Sequence, residues 1–302
     1  MAASSASVEG VIGPLGNCLT KLGFEVFPLK VGWYNSVLPP SFHLPYPDDA
    51  LAVVVLSTPA MFEQAFLPFL ERSSIQKPSD PVDQCVRHCV STAVSQCFPE
   101  LKVDVRYDYE LLPSRKPKFL AQTAAHVSGA AFYYQQSDVT DQPWAGRVMP
   151  SFCSSKQTKK KEHLLLSLFL HLKFHPFRLS IQQKMFGVCI HPSFGGWFAI
   201  RALLVFEDVA VGAELVQPDP PDCVASREDR IKLLEAFNLH WQDWSYRDIV
   251  PVGQTYSERQ KEYFSTPPAQ RLALLRSWGL LPKEEAQPDL GPREQNQANG
   301  HG

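Results

Sequence analysis

The fold of this chain is constrained most by two segments that have the residue pattern of β-strands. Leu51 to Leu56 read LAVVVL, a short apolar run that is typical of a buried strand. Leu101 to Leu111 alternate apolar and polar side chains with a period of two, as a half-buried strand does. Similar patterns predict a strand over Phe24 to Val31 and two strands within residues 187–206, joined around Gly195-Gly196. A β-sheet is therefore expected at the centre of the fold.

Helices are predicted between and after these strands. Residues 8–21 have an amphipathic pattern. Each of the other predicted helices starts with a residue whose side chain can accept a backbone hydrogen bond. That residue is followed either by a proline at the first helical position or by an acidic residue within the first turn. These starts are Thr58-Pro59, Asp80-Pro81 (with a helix to about Cys97), Ser226 with Asp229, and Thr266-Pro267-Pro268. Because strands and helices do not alternate regularly, we expect an α+β fold with an antiparallel sheet flanked by helices.

Composition and charge narrow the class of protein. The 302 residues carry a net charge of -2, which argues against a nucleic-acid-binding surface. The seven cysteines are odd in number and form no CxxC pair, so we expect reduced thiols. The N-terminal residues have no signal-peptide or presequence pattern, and no long apolar run predicts a membrane span. We expect a cytosolic protein with one domain over 1–281 and a disordered polar tail over 282–302.

Several residue groups suggest chemistry but also have simpler explanations. The motif Cys85-x-x-His88-Cys89 carries zinc-ligating side chains, but it lies on a predicted helix without a second pair of ligands. Cys189 and His191 form a candidate thiol–imidazole pair, although neighbours two apart on a strand are not poised for proton transfer. Gly195-Gly196 is more typical of a tight turn than of a phosphate-binding loop. The sequence contains no P-loop, Rossmann, GxSxG or HExxH motif.

A second group of residues is typical of a site for a large flat ligand. Phe132 to Gln136 (FYYQQ) combine aromatic faces with hydroxyl and amide groups, which suits a planar ligand with polar edges or a strand with one face in the core. His126 lies among small apolar residues, where it is either a core histidine or part of a pocket. Arg201, Arg247 and Arg271 lie in aromatic surroundings. Arginine forks bind carboxylates in two-pronged fashion, although each arginine alone is also typical of a surface ion pair.

Residues 148–186 differ in composition from the rest of the chain. They contain seven Lys or Arg, three His and a single acidic residue, Glu162. A basic run, Lys159 to Lys161, is followed closely by the apolar stretch LLLSLFLHLKFHPF. The segment is interpreted as a surface insertion or as a helix lying on a membrane surface, and Pro176 weighs against the helix.

Long stretches of the sequence, taken in order, point to one protein family. They are GFEVFPLKVGWYN, LPPSFHLP, LSTPAMF, DPVDQCV, LAQTAAHVSGAAFYYQ, GVCIHPSFGGWFAIR, DRIKLLEAFNLHWQDWSYRD and YFSTPPAQRLALL. These strings resemble the methylmalonic aciduria and homocystinuria type C family of cytosolic cobalamin-trafficking proteins, over residues 15–147 and 187–276. The resemblance implies a flavin-nitroreductase-like fold that holds cobalamin in its base-off form.

The resemblance also implies the residues of two binding sites. The implied cobalamin contacts are Asp108, Phe119, Leu120, Ala121, Gln122, His126, Tyr133, Tyr134, Gln135, Cys189 and Ile200. Phe119 stands where the family usually has an aliphatic residue, and it would still supply apolar contact. The implied glutathione site is Arg201, Arg247 and Arg271, whose guanidinium groups suit the two carboxylates of glutathione. The resemblance implies no protein ligand to a metal, because cobalt is carried by cobalamin.

Two activities follow from the resemblance. They are reductive decyanation of cyanocobalamin by reduced FAD or FMN, with NADPH as the indirect electron source, and glutathione-dependent dealkylation of alkylcobalamins. The implied partners are the type D cobalamin-trafficking protein, methionine synthase and the reductase of methionine synthase. A monomer is expected, with ligand-induced dimerisation left open. The alternatives are a carrier of cobalamin without catalytic activity and a flavin reductase that does not bind cobalamin.

The segment 148–186 is the main departure from the family. The family has only a few residues between the counterparts of Trp144 and Gly187. We interpret the segment as translated intron sequence or a rare splice form, because its composition is foreign and a valine codon at its upstream join can carry a splice donor. Long loops cost little closure entropy, so the fold is expected to tolerate the segment. Because it leads straight to Cys189, this form of the chain is expected to have an altered cobalamin pocket.

Overall fold

The computed structural model describes residues 7–72, 80–139 and 184–282, and the elements below lie in those ranges. The strands are β1 (Phe24–Lys30), β2 (Ala50–Ser57), β3 (Val103–Tyr107), β4 (Phe132–Tyr134), β5 (Val188–Ile190) and β6 (Ala199–Ala210). The α-helices are α1 (Val8–Leu19), α2 (Val31–Ser36), α3 (Leu67–Arg72), α4 (Pro81–Cys97), α5 (Ala121–Val127), α6 (Arg227–Leu239), α7 (Glu258–Ser265) and α8 (Arg271–Ser277). Short 3-10 turns are found at Thr20–Leu22, Pro40–Phe42, Gln136–Val139, Trp241–Asp243, Ser245–Asp248 and Pro268–Gln270.

The main sheet has the strand order β1-β2-β6-β3, and every neighbouring pair is antiparallel. All eight residues of β2 are buried, as expected for a central strand that reads as one apolar run. The predicted α+β fold with an antiparallel sheet and flanking helices is therefore confirmed.

Alternating residues of β2 and β6 contribute to two cores on opposite faces of the sheet. The first core contains Leu51, Val53 and Val55 of β2, and it is covered by α1 and α4. The second core contains Ala52, Val54 and Leu56, and it is covered by α2 and α5. Helices therefore close both faces of the sheet.

A third core forms beside this sheet, where β4 and β5 pair as a separate antiparallel ribbon. Tyr134 and Ile190 of the ribbon pack against Leu233 and Leu234 of α6. Met185 is buried in the same core, and its backbone N–H donates to the side chain of Gln136 at 3.1 Å. The last residues of the predicted insertion 148–186 are therefore part of the fold, whereas 148–183 lie outside the described residues.

The capping predictions have a mixed outcome. Asp80 and Ser226 accept backbone hydrogen bonds at the starts of α4 and α6, as predicted. Thr58 does not cap a helix, because both its backbone N–H and its hydroxyl donate to the carbonyl of Gly23. The following helix begins only at Met61, with a wide π-helical turn over Phe62–Phe66.

Two strand predictions are corrected by local hydrogen bonds. β3 is shorter than the predicted span from Leu101 to Leu111, because the chain turns after Tyr107, whose carbonyl accepts from the N–H of Glu110. The glycine pair does form a tight turn, in which His191 and Gly195 exchange two backbone hydrogen bonds and Gly195 has a φ of +56°. The strands that this turn joins do not pair with each other, because β5 belongs to the ribbon and β6 to the main sheet.

The described part of the chain has neither a membrane-spanning helix nor a metal-binding cluster. None of its helices combines the length and the apolar character needed to cross a bilayer. His, Cys, Asp and Glu side chains do not gather there in threes around a common point suited to a metal. Cys85 and Cys89 instead face the first core from α4, and the ring of His88 lies 5.5 Å from that of Phe69.

Candidate functional site

Most of the implied cobalamin residues come together on one surface, which we call the apolar wall. The wall belongs to the second core and consists of Phe119, Leu120, Ala121, Tyr133, Cys189 and Ile200. Phe119 and Cys189 are buried beneath it, whereas the other four side chains are partly exposed. Residues far apart in sequence thus form one continuous apolar surface.

The start of α5 is held in place by Tyr34. The backbone N–H of Leu120 donates to the Tyr34 hydroxyl at 2.7 Å. Tyr34 is fully buried, and burial raises the pKa of its phenol. The hydroxyl therefore holds the backbone of Leu120, the N-cap residue of α5, whose own side chain makes no capping hydrogen bond.

Tyr133 is positioned by the ribbon. It lies directly opposite Cys189 in the β4–β5 ladder. The backbone of Gly187 passes so close that a Cβ atom there would lie 2.5 Å from the ring of Tyr133 and 2.7 Å from the Tyr134 carbonyl oxygen. Glycine is therefore required at this position for the chain to enter β5 along the wall.

His126 connects α5 to the ribbon. Its Nδ1 accepts a hydrogen bond from the backbone N–H of Tyr133 at 3.2 Å. Burial lowers the pKa of the imidazole, with Asp138 opposing the shift, so the neutral form with an accepting Nδ1 is favoured. His126 thus has a clear positioning role behind the wall.

The predicted thiol–imidazole pair does not form, and this candidate is corrected. The Cys189 thiol donates to the carbonyl of Gln122 at 3.7 Å, and burial raises its pKa well above the usual range. His191 has other partners: its Nε2 lies 3.3 Å from Glu25, and its Nδ1 accepts from the Ser193 N–H. Cys189 is therefore a buried neutral thiol rather than a nucleophile.

Two amide side chains border the wall, and one predicted residue faces away from it. Gln122 and Gln135 are exposed, and neither side-chain amide makes a hydrogen bond within the described ranges. Tyr134 is fully buried in the third core, where its hydroxyl donates to Asp222 and accepts from the N–H of Val224. The side chain of Tyr134 therefore stabilises the fold, and only its backbone faces the wall.

Asp108 and Arg201 lie side by side at the end of the β3–β6 pair. The backbone N–H of Asp108 donates to the Arg201 carbonyl at 3.1 Å. Asp108 is exposed to solvent, yet desolvation by surrounding protein atoms raises the pKa of its carboxyl group, and Arg201 opposes that shift. The Arg201 Nε donates to the Ser57 hydroxyl at 2.9 Å. Its terminal nitrogens have no partner among residues 7–72, 80–139 and 184–282, so they are available to an anion.

Arg271 lies in the same charged cluster. It donates through Nη1 to Asp80 at 3.0 Å and through Nε to the Thr266 carbonyl at 3.2 Å. Asp83, one turn further along α4, has its pKa raised to about 7 by burial and by the nearby Asp80, and Arg201 opposes that shift. Two arginines and several carboxyl groups therefore lie close together at this end of the sheet.

Arg247 lies in an aromatic cage. The centres of four rings lie 5.1–5.4 Å from its guanidinium carbon, those of Trp197, Trp244, Tyr246 and Tyr256. Its Nη1 donates to the carbonyl of Gly196, and an added Cβ on that glycine would lie 2.9 Å from the Arg247 Cα. The glycine pair therefore also allows Arg247 to approach the turn.

Arg247 and Arg271 are linked by one row of rings. The ring of Tyr256, which contacts Arg247, lies 5.5 Å from that of Phe264, and Arg271 lies 5.8 Å from the same Phe264 ring. The aromatic neighbours Trp244 and Tyr246 of Arg247 are visible in the sequence. The partners Ser57 of Arg201, Asp80 of Arg271, and Trp197 and Tyr256 of Arg247 could not be foreseen, because those contacts join residues far apart in sequence.

Comparisons with known proteins agree on one family. The model of the methylmalonic aciduria and homocystinuria type C family matches residues 23–275. A Danio rerio protein named cyanocobalamin reductase / alkylcobalamin dealkylase is 54% identical over 281 residues, covering 93% of this chain and 98% of the relative. The Homo sapiens protein of that name is 48% identical, covering 85% of this chain and 78% of its own.

A solved structure has the same fold. The crystal structure of a Caenorhabditis elegans B12-trafficking protein superimposes with a TM-score of 0.72 at 30% identity, covering 89% of this chain and 96% of the other. The matched range of the family model also includes every residue of the two implied binding sites. This chain therefore belongs to the methylmalonic aciduria and homocystinuria type C family.

Proposed function

We propose that this chain binds base-off cobalamin against the apolar wall and removes its upper axial ligand. Cyanide leaves by flavin-dependent reduction, and alkyl groups leave by transfer to glutathione. The observation that carries the proposal is family membership, because relatives about half identical over most of the chain are named cyanocobalamin reductase / alkylcobalamin dealkylase. The wall and its polar border support it independently.

The wall has the chemistry that cobalamin needs. A corrin ring has broad apolar faces and a rim of amide side chains. Tyr133, Leu120 and Ile200 offer partly exposed apolar surface for a face of the ring. Gln122 and Gln135 offer exposed amides for the rim, and the exposed carboxyl of Asp108 offers an acceptor.

The wall offers no free side chain that could bind the lower face of the cobalt, because its two candidate ligands, His126 and Cys189, already have partners. The Nδ1 atom of His126 already accepts from Tyr133, and the thiol of Cys189 already donates to Gln122. An apolar surface next to the cobalt leaves its lower position weakly bonded. Reduction of the cobalt, or thiolate attack on the carbon bound to it, is then easier than in the base-on form.

Glutathione is proposed to bind through its carboxylates to Arg201, Arg247 and Arg271. Arg201 has the most free donor groups, because among described residues only its Nε is engaged. Arg271 is held by Asp80, and Arg247 is fixed in its cage. The thiolate then attacks the cobalt-bound carbon, the cobalt keeps the bonding electron pair, and the thioether leaves. The chain contributes orientation and an apolar surface that excludes water.

Decyanation is proposed to use FAD or FMN, with NADPH as the indirect electron source. The reduced flavin, when bound, supplies the electrons for the release of cyanide. The chain holds the substrate at the wall. We further propose transfer of the processed cobalamin to the type D trafficking protein, on the way to methionine synthase and its reductase.

The segment 148–186 is proposed to alter rather than abolish this site. Its end is fixed, because the backbone N–H of Phe186 donates to Asn238 at 2.8 Å and the Asn238 amide donates back to the Phe186 carbonyl. Met185 is buried in the third core. The chain is thus anchored directly before Gly187, where it enters the ribbon that carries Tyr133. Sequencing transcripts across the upstream join tests the splice-form hypothesis, which fails if most transcripts retain the segment.

Gel filtration and spectroscopy separate this function from its alternatives. The purified chain is loaded with cyanocobalamin, freed of unbound ligand and mixed with reduced FMN or FAD without oxygen. A decyanase retains the cobalamin and changes its cobalt spectrum as cyanide is released. A carrier retains it without spectral change, and a flavin reductase oxidises flavin without retaining cobalamin. Either of the last two outcomes would overturn the proposal.

A further inference from the structure

Two cysteines from different helices face each other at the edge of the first core. Cys18 lies near the end of α1, and Cys97 is the last residue of α4. Their sulfur atoms are 3.4 Å apart, although 79 positions separate the residues in sequence. Both are partly exposed, so a reagent from solvent can reach the pair.

We propose that Cys18 and Cys97 form a dithiol that exchanges with small carboxylate-bearing disulfides, such as glutathione disulfide, and closes into a disulfide between α1 and α4. This inference concerns a surface outside the apolar wall and does not depend on the proposed function. It adds a covalent modification site to the chain.

The spacing of the two sulfurs fits such a reaction. A disulfide requires sulfurs about 2.05 Å apart and side chains that approach from suitably placed backbones. The helices carrying the two cysteines already pack against each other in the first core. Closing the bond therefore needs a shift of about 1.4 Å, which side-chain rotation at two helix ends can supply.

The other described thiols are less suited to exchange. Cys85 and Cys89 are 4.0 Å apart, and Cys89 borders the same groove with its pKa lowered by the hydrogen bond with Cys85. Both are buried, however, and they lie one turn apart on a single helix, so a bond between them would not join two helices. Cys189 is buried and donates to Gln122. Cys223 is partly exposed, and its sulfur lies 3.9 Å from the Tyr134 hydroxyl, with no second sulfur beside it among the described residues.

A groove of about 230 Å³ leads to Cys18. Its walls are formed by α1, α3 and α4, with apolar surface from Leu22 and Phe69. Arg72 and His88 line the same groove and offer cationic or donor groups to a carboxylate. A small anionic disulfide therefore matches the groove better than an uncharged one does.

The order of the exchange follows from the pair. Cys18 borders the groove and Cys97 is not among its lining residues, so Cys18 meets the reagent and attacks first. Burial and the hydrogen bond with Cys18 also raise the pKa of the Cys97 thiol to about 11, which favours its protonated form. The Cys18 thiolate attacks one sulfur of the small disulfide, whose S–S bond breaks, and the first small thiol leaves with a proton. Cys97 then loses its proton and attacks Cys18 in the mixed disulfide, releasing the second small thiol. Two protein thiols are oxidised, and one small disulfide is reduced.

Peptide mapping of the full chain tests the proposal. The reduced protein is incubated with glutathione disulfide, free thiols are alkylated after denaturation, and the peptides are analysed by mass spectrometry without reduction. The expected product is a linked pair of peptides containing Cys18 and Cys97. Free Cys18 and Cys97, or either of them linked to Cys153 instead, overturns the proposal.

Serine variants separate the two steps. With Cys97→Ser, a mixed disulfide with glutathione should accumulate on Cys18, because no resolving thiol remains. With Cys18→Ser, the adduct should be lost from both positions, and Cys223→Ser, as the matched control, should leave the linked pair unchanged. An undiminished adduct on Cys97 in Cys18→Ser would contradict the assigned order. Cystamine, a cationic disulfide, should react several-fold more slowly than glutathione disulfide if Arg72 selects the reagent.

Discussion

Tyr133 and Cys189 face each other across the β4–β5 ladder, and both belong to the core that α5 covers. Cys189 is buried and bonded to the Gln122 carbonyl, whereas Tyr133 remains partly exposed. One residue of the pair thus fixes the ribbon, and the other presents a ring to a ligand. The predictions on cobalamin binding follow from this division.

Replacing Tyr133 by alanine should weaken cobalamin binding by about tenfold or more, because an aromatic face contributes about 1 kcal/mol or more beyond its buried area. The change removes a partly exposed ring, so the melting temperature should fall little. Phe69→Ala is the matched control, since Phe69 is a partly buried ring that packs on the opposite face of the sheet. Equal affinities for the two variants, measured by absorbance titration, would contradict the placement of cobalamin on the wall.

Gly187→Ala should disturb the wall from behind. The new Cβ would lie 2.5 Å from the Tyr133 ring and 2.7 Å from a backbone oxygen, so either the ring or the strand must move. We expect a loss of about 1–3 kcal/mol in the free energy of unfolding and weaker cobalamin binding. Gly253→Ala serves as the control because a Cβ there meets no atom within 4 Å. Unchanged binding and unfolding for Gly187→Ala would show that the ribbon is not confined at this position.

Replacing Arg247 should mainly lower the free energy of unfolding, whereas replacing Arg201 should mainly weaken glutathione binding. Arg247→Met removes a cation from four rings and a hydrogen bond to Gly196, so unfolding should become easier by about 2 kcal/mol. Arg201→Met should instead raise the KM for glutathione and leave the melting temperature and cobalamin binding nearly unchanged. A variant Arg201→Met that lost cobalamin binding and thiol-dependent turnover to the same extent would count against the glutathione site.

Asp83 should make stability depend on pH. Burial raises its pKa from 3.8 to about 7 in the folded chain, so the folded state binds the proton more tightly than the unfolded state does. Stability from this group is present below the unfolded pKa and is lost as the pH rises through the folded pKa. Asp83→Asn should therefore stabilise the chain by about 1–2 kcal/mol near pH 8, after allowance for solvent screening. The gain should shrink to almost nothing near pH 3, below the unfolded pKa of 3.8, because the wild-type carboxyl is then mostly protonated in both states.

Denaturant unfolding across this pH range checks the assignment. The exposed Asp219 provides the control, and Asp219→Asn should show no such pH-dependent difference. A constant difference between Asp83→Asn and wild type at both ends of the range would mean that Asp83 is not confined as described.

The sequence predicted the parts of the fold that depend on local patterns. The apolar run in β2, the alternation in β3 and the caps at Asp80 and Ser226 are local signals, and the structure confirms each element. The cap at Thr58 failed because its hydroxyl is taken by Gly23, 35 residues earlier. No pattern within one segment can reveal such a contact.

The candidate site depends on contacts between distant residues more than the strands and helices do. Resemblance to a family supplied its residues, and the structure groups them into a wall and a charged cluster. It also shows that Tyr134 points into the third core, which strand alternation next to Tyr133 already suggests. The support of Leu120 by Tyr34 and the ring row between Arg247 and Arg271 join distant segments, so they required the three-dimensional structure.

The central claim is tested most directly by mixing the full chain, loaded with methylcobalamin, with glutathione in the absence of oxygen. The cobalt spectrum is followed for a single turnover, and the thioether product is quantified by mass spectrometry. We predict loss of the methylcobalamin spectrum together with one equivalent of S-methylglutathione per bound cobalamin. Stable methylcobalamin that remains bound to the protein without thioether formation would contradict the dealkylase assignment and leave a carrier.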